Sequence, residues 1–239
     1  MDRIKLISYA YFYNGDYNAI TKAIRDNINV PIKDDSRCIT LFDKEYPKKL
    51  LELKYPPYVL FYKGDIRLLN SPSISVVGSR NASDYALRAT KQLVINHNKD
   101  IIISGLAKGI DACAHEYSEK SIGVLGCGIN YVYPICNKHL FDKLEKNGLI
   151  ISEYPDKVLP LAFHFPFRNR IIACLGNTLY IMQSKINSGT MTSVNEALEL
   201  GRQIKVLPYD VFSEYGRNNN HLIYEGAECI EYDEIAISK

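Results

Sequence analysis

No stretch of the 239-residue chain stays apolar for the length of a membrane-spanning helix, and the longest apolar runs are strand-sized. Met1-Asp2-Arg3 leads into no apolar secretory segment, which predicts a cytoplasmic protein without a membrane partner. The six cysteines (Cys38, Cys113, Cys127, Cys136, Cys174, Cys229) contain no CxxC pair and no metal-ligand spacing. In a reducing compartment they read as small core or loop residues. There is no GxGxxG fingerprint with an acidic residue at the end of the next strand, so no bound dinucleotide is expected. There is no GxxxxGK[ST] run either, which excludes a P-loop ATPase. The five histidines are scattered, and no spacing fixes a nucleophile relay or a metal site. The expectation is a protein with no cofactor, no metal and no ATP hydrolysis.

Charge of one sign also looks scarce, because the formal net charge is only +2. The balance is uneven along the chain. Residues 1–70 hold 12 Lys/Arg against 9 Asp/Glu, residues 71–210 hold 15 against 12, and residues 211–239 hold 2 against 6. An acidic tail conceals a modestly basic body, as a polyanion binder or an ordinary solvated face would show.

What is abundant is apolar sequence, 46% of residues, enough for one large α/β domain with a small appendage. Ile4, Ile7, Ala10 and Tyr11, then Ile20, Ala23 and Ile24, predict two short helices forming a hairpin on the main body. Residues 31–70 read as irregular and Pro-punctuated, with one strand at Val59-Leu60-Phe61-Tyr62. We therefore divide the chain into a helical region, 1–45, and a main domain, 46–239.

From Ile74 onward strand and helix signals alternate. Ile74-Ser75-Val76-Val77 is a β-branched run ended by Gly78-Ser79-Arg80, and Ser83 can cap the helix that follows. Further strands are expected at Ile101–Ile103, Ile122–Leu125, Leu149–Ile151, Thr178–Met182 and Ile204–Leu207. Helices fall between them, one capped by Asn137, one carrying Pro166 in its first turn, one over Thr190–Leu200. Such alternation predicts a doubly wound, mostly parallel sheet with helices on both faces. Ligands of these sheets bind outside the carboxyl ends of the strands. Those ends carry Gly78-Ser79-Arg80, Ser104-Gly105, Gly126-Cys127-Gly128 and Ser188-Gly189-Thr190. Each glycine alone is turn punctuation. Four such turns at one edge, with an arginine among them, favour a phosphate-bearing ligand.

Phe163-His164-Phe165-Pro166-Phe167-Arg168-Asn169-Arg170 is the densest stretch. Pro166 is expected to hold Arg168 and Arg170 in a helix's first turn, where cations gain nothing from the helix dipole and need another purpose. Arg80, Arg168 and Arg170 are expected to face one pocket, with a structural pairing to a carboxylate such as Glu153 as the alternative for Arg170. Core packing is the ordinary reading of the three phenylalanines, and a stacking platform for unpaired bases is the other.

These runs resemble the DNA-processing protein A (DprA/Smf) family. The likeness rests on Val76-Val77-Gly78-Ser79-Arg80, Ser104 to Asp111 with Ala114-His115, Val124 to Gly128, Tyr133-Pro134 with Asn137, and Ser152-Glu153-Tyr154. It continues through Phe165 to Ala173, Ser188-Gly189-Thr190, His221-Leu222-Ile223 and Glu225-Gly226-Ala227, in order from about Tyr46 to Ile230. The chain departs from the family's usual pattern at Ile135, where a basic residue often follows Tyr-Pro, at Gln183 and at Tyr209. The resemblance implies an extended Rossmann-like fold and a homodimer that is not an enzyme. It implies binding of single-stranded DNA, protection of incoming strands in natural transformation, and help in loading the RecA recombinase. It assigns DNA contact to Gly78, Ser79, Arg80, Lys108, Asn137, Lys138, Arg168, Asn169, Arg170, Ser188, Gly189 and Thr190. It places self-association at Leu222, Ile223 and Cys229.

The alternative is a Rossmann-like nucleotide phosphoribohydrolase, since Ser188-Gly189-Thr190 with Glu196 faintly resembles that family's loop. Glu196 lies six residues beyond Thr190, nearly two helical turns, too far to serve the same phosphate pocket.

Overall fold

Aliphatic and β-branched runs supply the centre of a nine-stranded sheet: β1 (Cys38–Thr40), β2 (Val59–Gly64), β3 (Ser73–Gly78), β4 (Ile101–Ser104), β5 (Ser121–Val124), β6 (Leu149–Ser152), β7 (Thr178–Gln183), β8 (Gln203–Val206) and β9 (Glu228–Cys229). The computed structural model describes residues 2–156, 158–186 and 188–236. The strands run in the order β1-β2-β6-β5-β4-β3-β7-β8-β9. From β6 to β9 every pair is parallel, whereas β2 joins β6 and β1 joins β2 antiparallel. The expected doubly wound α/β fold is therefore present.

The helices are α1 (Arg3–Phe12), α2 (Tyr17–Arg25), α3 (Asp84–Asn96), α4 (Ile110–Tyr117), α5 (Lys138–Asn147), α6 (His164–Leu175), α7 (Gly189–Glu199), α8 (Arg217–Tyr224) and α9 (Tyr232–Ile235). Strand residues are apolar on both sides because both faces are covered. Ile101, Ile103, Ile122, Val124, Leu149 and Ile151 pack against α6, α7 and α8. On the other face Ile74, Val76 and Ile102 meet α3 and α4, and Phe61 and Ile150 meet α1, α2 and α5.

Side-chain capping explains several helix starts. Ser83 Oγ accepts from Ala86 N, and Asp2 and Asp16 cap α1 and α2 the same way. Two expectations need correction. Residues 31–45 are not wholly irregular, since β1 continues the sheet past β2. Asn137 precedes α5 but does not cap it. Its side-chain amide donates instead to the carbonyls of Leu106 and Ala107, each at 3.0 Å. Leu106 sits in the left-handed region (φ 56°), which turns its carbonyl out of the usual run and leaves it needing that donor.

Candidate functional site

The winding direction reverses between β3 and β7, which lie side by side although α3, β4, α4, β5, α5, β6 and α6 intervene in the chain. Loops leaving such a pair part in opposite directions and open a crevice at the strands' carboxyl ends. Here that crevice is a cleft of about 490 Å³, walled by the loop after β3, the loop after β7, the start of α7 and the first turns of α6.

Arg80 is exposed at the mouth of the cleft. The loop that carries it is tightly supported. Ser79 Oγ accepts from Asn81 N (3.1 Å), and the Ser79 carbonyl accepts from Ile110 N (3.2 Å) at the start of α4. Gly109, at φ 75°, lies with its Cα against that same carbonyl, where a side chain would collide. The Arg80 guanidinium stands 5.2 Å from the centre of the Phe165 ring, a cation–π arrangement. Phe165 in turn leans on Tyr133, ring centres 5.7 Å apart.

Arg168 reaches the cleft from below. It is 3% exposed, and its guanidinium donates to the Val124 carbonyl and lies against the bare Cα of Gly105. Its Nε has no partner among the described residues. Burial lowers its pKa to about 10, and the nearby Asp111 carboxylate opposes that fall, so the cation persists at neutral pH. Asp111 accepts from Gly105 N (3.2 Å) and Ala107 N (3.3 Å); burial raises its pKa against the pull of Arg168. Arg168 thus supplies positive potential to the floor rather than a freely mobile contact.

The opposite wall is the N-terminus of α7. Asn169 donates to the Gly189 carbonyl (3.0 Å) and to Thr192 Oγ1 (3.1 Å), which locks α6 to α7 and fixes Ser188-Gly189-Thr190. Ser188 makes no side-chain cap on α7, so the first-turn amides and the positive end of the helix dipole face the cleft. Ser184, also in the wall, is clamped by α8: Asn219 Oδ1 accepts from its amide and its hydroxyl (2.8 Å each), and Asn218 Nδ2 donates to its oxygen (2.8 Å).

The cleft gathers Gly78, Ser79, Arg80, Arg168, Asn169, Ser188, Gly189 and Thr190. It leaves out four others expected there. Lys108 is exposed but does not line it, and Lys138 pairs with Asp142 at 2.7 Å. Asn137 is buried under the loop after β4. Arg170 is 2% exposed and pairs through both terminal nitrogens with Glu153, each at 2.6 Å. Glu153 is the partner expected as the alternative for Arg170, and the expectation that the three arginines share a pocket fails for a geometric reason. Helix α6 begins at His164, so Arg168 and Arg170 lie in its second turn, and residues two apart point to opposite sides of a helix. Core packing of the phenylalanines is overturned as well: Phe163 is 65% exposed, and Phe165 and Phe167 are half-buried. Lys185, exposed in the cleft wall, escaped sequence reasoning, and Tyr133, quoted there as a motif residue, was given no role in the site. The position of Lys185 just beyond β7 was the available signal.

Of the self-association residues, Leu222 is 5% exposed and belongs to the chain's own core. Ile223 is half-buried against that core, and Cys229 is exposed on β9. Glu196 is half-buried on α7 and does not line the cleft.

Residues 37–238 match the model of the family described as DNA recombination-mediator protein A. DNA processing protein DprA of Streptococcus pneumoniae (strain ATCC BAA-255 / R6) is 38% identical over 196 residues, which span 80% of this chain and 70% of the relative. DprA of Bacillus subtilis (strain 168) is 38% identical over 203 residues, 80% of this chain and 67% of the relative. Among solved structures, the X-ray structure of Streptococcus pneumoniae DprA superposes with a TM-score of 0.78 at 32% identity, over 95% of this chain and 88% of that one. A Helicobacter pylori DprA structure, described in terms of that protein's single-stranded DNA binding mode, gives a TM-score of 0.74 at 31% identity, over 81% of this chain and 91% of that one. In sequence and in fold alike, the chain belongs to the DNA recombination-mediator protein A family, DprA/Smf.

Proposed function

We propose that the cleft holds the sugar-phosphate backbone of single-stranded DNA, with Arg80 as its principal contact. By family the chain is a DNA-processing protein of recombination and not an enzyme. The observation that carries the finer reading is the exposed Arg80 guanidinium over the Phe165 ring, facing the open N-terminus of α7 across a floor made positive by Arg168. Arginine and free helix-end amides bind phosphate without reading a base, and an aromatic face beside them suits an unpaired base rather than a duplex. Gly78, Ser79, Ser188, Gly189, Thr190 and Lys185 complete the backbone track. Asn169, Asn137 and Arg170 hold its walls, and Lys108 and Lys138 lie outside it as peripheral cations. In this reading the protein is a cytoplasmic homodimer, joined through Ile223 and Cys229 with Leu222 behind them. It covers incoming strands in natural transformation and helps load RecA on them.

Fluorescence anisotropy with single-stranded and duplex oligonucleotides at several salt concentrations tests the cleft. Arg80→Ala is expected to weaken single-strand binding by about 1–3 kcal/mol, the scale of a charged hydrogen-bonding contact. It is also expected to flatten the log–log salt slope by about 0.7, the single-strand value per neutralised phosphate. A folded Arg80→Ala variant with unchanged affinity and slope would falsify the assignment.

A further inference from the structure

On the far side of the first turns of α6 lies a second cavity, of about 530 Å³. The segment before and within α6 separates the two. Ala162, Phe165 and Pro166 face the cleft already described, whereas Leu161, Phe163 and His164 face this one. Its other wall is the end of α1 and the turn to α2, with Tyr11, Tyr13, Asn14 and Asp16, and its rim is Pro155-Asp156 with Val158 and Leu159.

The cavity combines flat aromatic walls with oxygen acceptors. Phe163 is exposed but held: its ring stands edge-on to His164, centres 4.5 Å apart, and His164 stacks on buried Tyr154 at 4.0 Å. His164 is 6% exposed, and its Nδ1 has no hydrogen-bond partner among the described residues. Asp16 uses Oδ1 to cap α2, which leaves its second oxygen for another donor. Among the described residues the Asp156 carboxylate receives only a long bond, 3.4 Å, from Asn130 Nδ2. The rim is fixed in advance, because Gly128 N donates to Val158 O (2.8 Å) and Asn130 N to Asp156 O (2.9 Å). An acid-lined pocket repels phosphate, so it is not a second backbone track. It suits a planar group that stacks on a ring and donates hydrogen bonds from its edge.

We propose that this cavity receives one nucleobase of the strand whose backbone lies in the neighbouring cleft, and that it prefers a base with an exocyclic amino group. The inference rests on the single-strand reading above. A strand following the cleft past Phe165 meets Phe163 next, and its base turns over that ring into the cavity. There the Asp156 and Asp16 carboxylates accept from the amino group of cytosine or adenine. Thymine has no amino group, and its single N3–H donor can serve only one of the two acceptors.

Anisotropy with oligo-dC and oligo-dT of equal length tests this, using the whole chain. The wild type is expected to bind oligo-dC more tightly than oligo-dT. Asp156→Ala is expected to bring oligo-dC down to the oligo-dT affinity and to leave oligo-dT no weaker. Phe163→Ala is expected to weaken both by about tenfold, the scale of one lost stacking contact. Equal affinity of the wild type for the two strands overturns the preference. Unchanged binding in Phe163→Ala overturns the base site while the cleft reading stands. A wild type that binds neither strand removes the cleft reading and this one with it. Capture of an arginine-rich peptide by the cavity, abolished by Asp156→Ala with DNA binding untouched, also overturns it in favour of a basic protein partner.

Discussion

Arg168 and Arg170 show how much a single residue's surroundings decide its use. Both are arginines of one helix and both are buried, yet one charges a cleft floor and the other closes an ion pair. His115 is a third buried cation-former, and here burial wins. Its Nδ1 meets Ser121 Oγ at 2.9 Å, and the lack of solvent, with Lys143 nearby, pushes its pKa down to about 3 from an ordinary 6.5. Lys143 is there because its ammonium satisfies three carbonyls at the end of α4, those of His115, Glu116 and Ser118. The unfolded chain therefore binds a proton below pH 6.5 that the folded chain refuses. The stability owed to neutral His115 is complete above pH 6.5 and is lost as the pH falls towards 3. Asp111 works in the opposite sense, since its raised pKa lets the folded state hold a proton that the unfolded state releases. Melting temperatures measured from pH 8 to pH 4 are expected to fall below pH 6.5, and His115→Gln is expected to make the fall shallower. An unaltered pH profile in that variant would remove His115 as the cause.

At the scale of the element, α6 is the part on which the site depends. Its first turns form a wall of the cleft, its Asn169 fixes α7, and its Arg170 ties it to the segment after β6 and, through the Tyr55 carbonyl at 2.9 Å, to the loop before β2. The Phe167 ring lies 3.8 Å from the Arg170 guanidinium and completes the shielding. Removing one member of a buried ion pair strands the other charge, so Arg170→Met is expected to cost about 3–5 kcal/mol in urea unfolding. The double variant Glu153→Leu/Arg170→Met is expected to recover part of that loss, because no charge is left alone. Equal losses in the single and double variants would show that packing, not charge, holds the helix.

The same helix marks where the sequence was legible and where it was not. Its existence, its Pro166 start and its arginines were readable from composition and spacing. That Arg168 and Arg170 part to opposite sides followed from their spacing, but which of them meets the cleft did not, because that depends on how the helix rolls against the sheet. The central strands were legible because runs such as Ile101-Ile102-Ile103 are too apolar for anything but a strand covered on both faces. β1 and β9 were not, since strands of three and two residues show no periodicity and exist only through the neighbours they pair with. The cleft's location followed from topology alone. Lys185 did not stand out, because a lysine in a loop looks the same in sequence whether or not a cleft lies beneath it.

Considered as a whole molecule, the sheet ends in short strands, and α9 is fastened across the β9 end. Glu234 accepts from Tyr180 Oη (2.7 Å) and Lys205 Nζ (3.0 Å), and Asn96 donates to its backbone carbonyl. Elsewhere α8 and β9 carry the half-buried Ile223, the exposed Cys229 and the 88% exposed Tyr224 in an acidic stretch of the chain. An isolated apolar patch of this kind suits contact with a second copy. Light scattering is expected to give a dimer mass for the wild type and a monomer mass for Ile223→Arg, with the circular dichroism spectrum unchanged. A variant that keeps the dimer mass moves the interface elsewhere.

The side-by-side placement of β3 and β7 has a further consequence, in time rather than in space. A ribosome releases β3 with its Gly78-Ser79-Arg80 turn long before it releases β7. Until then one edge of β3 has nothing to pair with, and Arg80, which meets Phe165 only with α6, still has no α7 across from it. The nascent chain must shelter an open strand edge while residues 79–177 are made. It cannot grip a DNA strand at the cleft before that wait is over, so incomplete chains released early carry the arginine but not the site.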